Sequence, residues 1–157
     1  MHNNKLVFFI LLSLSYIAPH SVFAKDVQDI TITDAWISEA PPTVSTLAAY
    51  AKIINLSKQT KLLTSVSSPT FIRIELHLSK IVDGMAQMKK QDSLMIEAEN
   101  SVALSPGAYH LMLFNPDRPL KAGDNAIIHF NFSDGSSSTI EVPVKKRNSD
   151  GHSHHHH

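Results

Sequence analysis

The chain has 157 residues, 43% hydrophobic and 18% charged, which allows one compact domain and is too apolar for wholesale disorder. Fourteen basic residues offset fourteen acidic ones, so the cationic excess expected of a nucleic-acid binder is missing. With no cysteine, a disulfide framework, thiolate zinc site, CxxC redox pair, cysteine nucleophile or blue-copper centre is excluded, while ten His and five Met leave a surplus of neutral borderline and soft metal ligands.

Taken from the N-terminus, Met1 to Lys5 is polar with one positive charge, and Leu6 to Ile17 is almost wholly apolar. Ala18 to Ala24 then places small or modest residues at the −3 and −1 positions of a cut after Ala24. This is the order of a secretory signal peptide, expected at residues 1–24. The apolar run is shorter than the ~20 residues that span a bilayer, so cleaved export is preferred to a membrane anchor. The mature chain then begins near Lys25, with no stable membrane insertion after cleavage. An exported, cysteine-free domain suits an oxidising compartment, and the periplasm is the expected location.

From Ile30 onward, short apolar-alternating runs are separated by turn formers. The predicted strands are Ile30 to Thr33, Ala48 to Asn55, Lys61 to Ser67, Ile72 to Leu78, Val102 to Leu104, Tyr109 to Phe114, Ala126 to Phe132 and Ser138 to Val144. Between them lie Pro41-Pro42, Ser68-Pro69, Asp83-Gly84, Ser105-Pro106-Gly107, Asn115-Pro116-Asp117 and Asp134-Gly135. No stretch carries a long helical period, so the helical crossovers of a parallel sheet are missing. The expectation is an all-β, antiparallel sandwich or barrel. The apolar pattern stops after Val144, which sets the domain at residues 25–146 and a polar tail at 147–157.

Two strands carry the candidate ligands. In Tyr109 to Phe114, His110 and Met112 are two residues apart and leave one face, with Cα atoms about 6.6 Å apart at ~3.3 Å per residue. Tyr109, Leu111 and Leu113 take the core face. In Ile72 to Leu78, the apolar Ile72, Ile74 and Leu76 are expected inward, leaving His77 on the polar face with Arg73 and Glu75. A turn at Asp83-Gly84 followed by antiparallel return is expected to carry Met85 or Met88 back toward His77. Met95, within Ser93-Leu94-Met95-Ile96, is read as core, and His129 as an exposed alternating position rather than a ligand. Thioether sulfur is soft and neutral, and imidazole adds a borderline donor, so two His with two Met favour Cu(I). Zinc would prefer His with carboxylate or Cys, and calcium and magnesium need oxygen ligands.

His77, Met88, His110 and Met112 form the pattern H-x(10)-M-x(21)-H-x-M. This resembles the signature of the periplasmic PCu(A)C-type copper chaperones, which are small exported cupredoxin-like β-sandwiches. Asp34-Ala35-Trp36, Pro41-Pro42, Ala48-Ala49-Tyr50, Glu75-Leu76-His77, Pro106 to Leu113 and Arg118 to Asp124 are similar to that family too, over about Ile30 to Val144. One departure is Leu78, where many members carry Met. The resemblance implies a Cu(I) carrier rather than an enzyme, with His77, Met88, His110 and Met112 as one site near the surface; Met85 is read from its place near Met88 as either core or a spare sulfur. It also implies delivery to the copper-centre subunit of cytochrome c oxidase, directly or through a thioredoxin-like copper assembly protein. The carrier is expected to be a monomer.

The tail holds His152, His154, His155, His156 and His157. Four consecutive His after Gly-His-Ser, behind an intact leader, favour a native accessory site for Cu(II) over a purification tag. Rival readings diverge in kind. A copper-buffering or resistance protein would use the same ligands without a client, and a metal-free β-sandwich adhesion module would use none of them. Enzyme readings fare worse: Lys25 stands where a histidine brace needs His, and no nucleophile-elbow motif frames the Ser, His and Asp residues.

Overall fold

A computed structural model describes residues 29–146. The expected leader and the tail with its five histidines lie outside the described residues. Ten strands follow in order: β1 (Ile30–Ser38), β2 (Thr46–Asn55), β3 (Lys61–Ser67), β4 (Phe71–Val82), β5 (Met85–Gln91), β6 (Leu94–Ile96), β7 (Ser101–Leu104), β8 (Tyr109–Pro116), β9 (Asn125–Phe132) and β10 (Ser137–Lys145). The eight predicted strands all form. β5 and β6 are additional, because six consecutively exposed residues and a three-residue run carry no readable alternation.

The strands run β5-β4-β8-β2-β1-β10-β9-β3-β6, with β7 also paired to β2. Every pairing among the described residues is antiparallel except β1 with β10, where Ile37 and Ser38 lie beside Val144 and Lys145 in parallel. That junction joins two layers, which close over one apolar core. Ile53, Leu111 and Leu113 enter it from the first layer, and Leu63, Ile128 and Phe130 from the second. Among the described residues, the ten strands and the core lie between Ile30 and Lys145.

Two packing expectations are corrected. Ile72 is 82% exposed, and Phe71 takes the inward place instead. Opposite this end of β4, Asn115 has φ 50°, a left-handed residue that turns the strand pair and breaks the two-residue alternation ahead of Ile74. Met95 is 60% exposed rather than core. Leu94 and Ile96 are the buried pair in β6, and the residue between them must point outward.

One buried cation anchors the second layer to the start of β1. Lys61 Nζ lies 2.6 Å from Asp134 Oδ2 and 2.8 Å from Asp29 Oδ2. The Lys61 ammonium, followed by donors of Ser136, holds the Asp134 carboxyl well below the usual carboxylate range. A depressed carboxylate contributes stability that is present above its unfolded pKa of about 3.9 and is lost as pH falls toward the folded value. The urea midpoint is therefore expected to drop between pH 5 and pH 2, with a shallower drop in Asp134→Asn. In the same assay Leu94→Ala should cost about 2–5 kcal/mol, whereas Met95→Gln should stay within about 0.5 kcal/mol.

Candidate metal centre

The site is assembled by strand register. In β4 and β8, His77 lies opposite His110 and Glu75 opposite Met112. On the other flank of β4, Met88 of β5 lies opposite Ser79, and Lys90 opposite His77. Cross-strand partners share a face, as do alternate residues of one strand. His77, Met88, His110 and Met112 therefore all leave the same side of the first layer, while Leu76, Leu111 and Leu113 enter the core from the other. Met88 stands diagonal to His77, a relation that spans about 7–8 Å between Cα atoms. The His77 and His110 rings have centroids 6.0 Å apart.

The hairpin that returns Met88 rests on Asp83 and Gly84, with φ of 52° and 75°. Two left-handed residues make the two-residue turn whose twist matches antiparallel strands, and Asp-Gly is among the sequences that adopt it at least cost. The same register excludes Met85. It pairs with Val82 beside the turn and, being three residues from Met88, leaves the opposite face of the hairpin. Its side chain is not brought to the two histidines, contrary to the accessory role expected of it. His129 sits in β9 of the other layer, where its Nδ1 lies 2.9 Å from the Thr139 hydroxyl.

Hydrogen bonding orients both imidazoles. His110 Nδ1 lies 3.0 Å from the Ala108 carbonyl, which can only accept, so this nitrogen carries the proton and Nε2 keeps its lone pair. The same carbonyl accepts the Ser79 N–H at 3.1 Å, tying β4 to the turn before β8. His77 Nε2 lies 2.9 Å from Glu75 Oε2. The His77 hydrogen bond, followed by that of Lys90, holds the Glu75 carboxyl below its ordinary value. An ionised carboxylate accepts only, so Nε2 donates and the lone pair of neutral His77 falls on Nδ1. That nitrogen is the one buried side-chain polar atom without a hydrogen-bond partner among the described residues.

A groove of about 480 Å³ opens over this face. Met88, His110 and Met112 line one wall, and Ala40, Pro41 and Val44 line another. Glu39 fixes the second wall: its N–H donates to the Lys145 carbonyl at 2.8 Å, and its Oε1 accepts the Ala122 N–H at 3.0 Å. His110 is only 5% exposed, whereas Met88 is 64% exposed. The arrangement grades from an enclosed imidazole to a thioether in solvent. Among the described residues, no three His, Asp or Glu side chains cluster as a metal site.

Sequence reasoning gave Glu75 and the 39–44 wall no role at the site, although Glu75 and Pro41-Pro42 stand in segments similar to the family. The two-residue spacing of Glu75 and His77 was a readable sign of a shared face. The wall offered only Pro41-Pro42, with nothing to place it at the site, because it meets the site only through the fold.

These features define an all-β sandwich domain with a soft-ligand pocket on one face. The family described as "Putative lipoprotein LpqE-like" matches residues 30–144. A "Putative lipoprotein Lxx21020" of Leifsonia xyli subsp. xyli is 30% identical over 122 residues, covering 77% of this chain and 72% of that protein. The solution structure of the Cu(I) form of DR1885 from Deinococcus radiodurans is 29% identical, with a TM-score of 0.63 over 80% of this chain and 83% of that one. A copper-bound PCuAC domain from PmoF2 shares the fold at 18% identity, with a TM-score of 0.64 over 76% of this chain and 94% of that chain. The chain belongs to the LpqE-like, or PCuAC, family of cupredoxin-like domains, whose members are copper chaperones and not enzymes. The family's lipoprotein description fits an exported protein. No helix among the described residues is long and apolar enough to cross a membrane.

The burial gradient has a consequence for the metal-free fold. Met88→Leu should leave stability within about 0.5 kcal/mol, since the side chain is already in solvent. His110→Ala should cost about 1–3 kcal/mol through a lost hydrogen bond and an emptied buried site. Urea denaturation of the copper-free variants measures both.

Proposed function

We propose that this chain is a periplasmic carrier of Cu(I), held by Nδ1 of His77, Nε2 of His110 and the sulfurs of Met88 and Met112. The observation that carries the reading is the unpartnered Nδ1 of His77, on the same face as the other three groups. A buried acceptor without a partner costs about 1–3 kcal/mol, and a soft cation bound there relieves that cost. All four ligands are neutral, which suits a monovalent ion.

Solvent access at Met88 supports release as well as binding. An acceptor protein can displace the outermost thioether first and the enclosed imidazoles last, so the ion moves by stepwise ligand exchange without becoming free. The client is the copper centre of cytochrome c oxidase, reached directly or through a thioredoxin-like copper assembly protein. The carrier acts as a monomer. The His-rich tail gathers Cu(II), and it leaves the domain after Lys145, whose carbonyl is bonded to Glu39 on the groove wall.

Competition with a Cu(I) chelator is expected to give one ion per chain ending at Lys146. Affinity should fall at least about tenfold in Met88→Leu/Met112→Leu, with an unchanged fold. An unaltered affinity in the double variant would remove the site from this face. Restoring residues 147–157 should add Cu(II) binding without altering the Cu(I) constant. In cells lacking the protein, loss of oxidase activity that is rescued by added copper supports delivery, and normal oxidase with copper sensitivity supports buffering.

A further inference from the structure

Glu75 does more than occupy the polar face of β4. Its two carboxylate oxygens are divided between two tasks. Oε1 accepts Lys90 Nζ at 3.0 Å and lies 3.3 Å from Arg73 Nε, while Oε2 takes His77 Nε2 at 2.9 Å. Arg73 is itself held over the Phe114 ring, 4.3 Å from its centroid, so the far side of the carboxylate is anchored to β8 as well as β5. The side chain of Glu75 is only 14% exposed. These contacts leave the carboxylate little freedom to turn away from His77.

We propose that Glu75 is a positioning residue for copper: it locks His77 as the Nε2–H tautomer, so that Nδ1 faces the site as a lone-pair donor. This rests on the reading of His77 as a ligand and adds the identity of the donating nitrogen and the group that selects it. The physical basis is that neutral imidazole has one donor and one acceptor nitrogen, so the partner at one ring position dictates the chemistry at the other. The two histidines are handled oppositely. The Ala108 carbonyl accepts from His110 Nδ1, which keeps the proton there and frees Nε2, whereas Glu75 accepts from His77 Nε2, which keeps the proton there and frees Nδ1. Lys90 lies two residues beyond Met88 on β5, so its bond to Glu75 also fastens the strand that carries the exposed thioether.

Glu75→Gln is the decisive variant because it keeps size and shape and changes one oxygen into an NH₂ group. Lys90 and Arg73 are donors and claim the remaining oxygen. The NH₂ group then faces His77 Nε2 and donates to it, which forces the proton onto Nδ1. Two-bond ¹H–¹⁵N correlation spectra of the copper-free chain ending at Lys146 are expected to show Nε2–H at His77 in the parent and Nδ1–H in Glu75→Gln. Chelator competition should show about a 10- to 100-fold weaker Cu(I) affinity in the variant. Parent affinity in Glu75→Gln, or a weakened affinity with the tautomer unchanged, overturns the proposal. An Nδ1–H tautomer in the parent overturns it without any variant, so a misfolded Glu75→Gln would not leave the question open. Met112→Leu separates the two levels of the argument. If it weakens Cu(I) while Glu75→Gln does not, only the positioning role fails, and if neither matters, the site itself is elsewhere.

Discussion

The pairing of His77 with His110 across β4 and β8 is the constraint on which the site depends. A sheet has a side-chain period of two, so a slip of one residue in this pair would send one imidazole into the core and a leucine into the groove. The core prevents that slip. Leu76 lies opposite Leu111, and Ile74 opposite Leu113, so the apolar face that stabilises the sandwich also sets the phase of the polar face. The site needs no separate scaffold. It is the reverse side of the packing.

The hairpin adds the third strand by a local device. Asp83 and Gly84 hold a tight turn, and the count from that turn decides which methionine returns beside β4. Met88 and Met85 are chemically equal and three residues apart, yet only Met88 shares the face of His77. Parity, not proximity in sequence, separates them. The edge position of β5 leaves Met88 in solvent, which suits a ligand that must be surrendered first.

Electrostatics refine what register begins. The polar face around His77 holds Glu75 between two cations, so its carboxylate stays ionised and serves as an acceptor. The candidate ligands themselves are uncharged, and the carboxylates of Glu75 and Glu39 near them are matched by the cations Arg73 and Lys90. Membership in the PCuAC family agrees with a copper-binding domain.

Composition and pattern were enough to establish the all-β class and most strand positions, and to single out four residues with soft or borderline donors. Period-two alternation is a local property, and it is written plainly in β2, β8 and β9. It failed where locality fails. Ile72 was misplaced because the twist at Asn115 belongs to the partner strand, and Met95 because three apolar residues in a row conceal which one points out. Linear order also could not reveal that Pro41 and Val44 wall the groove, that Glu75 faces His77 at hydrogen-bonding distance, or that His77 Nδ1 is left without a partner. Those facts arise when chain segments tens of residues apart are brought together, and only a folded core can fix such distances.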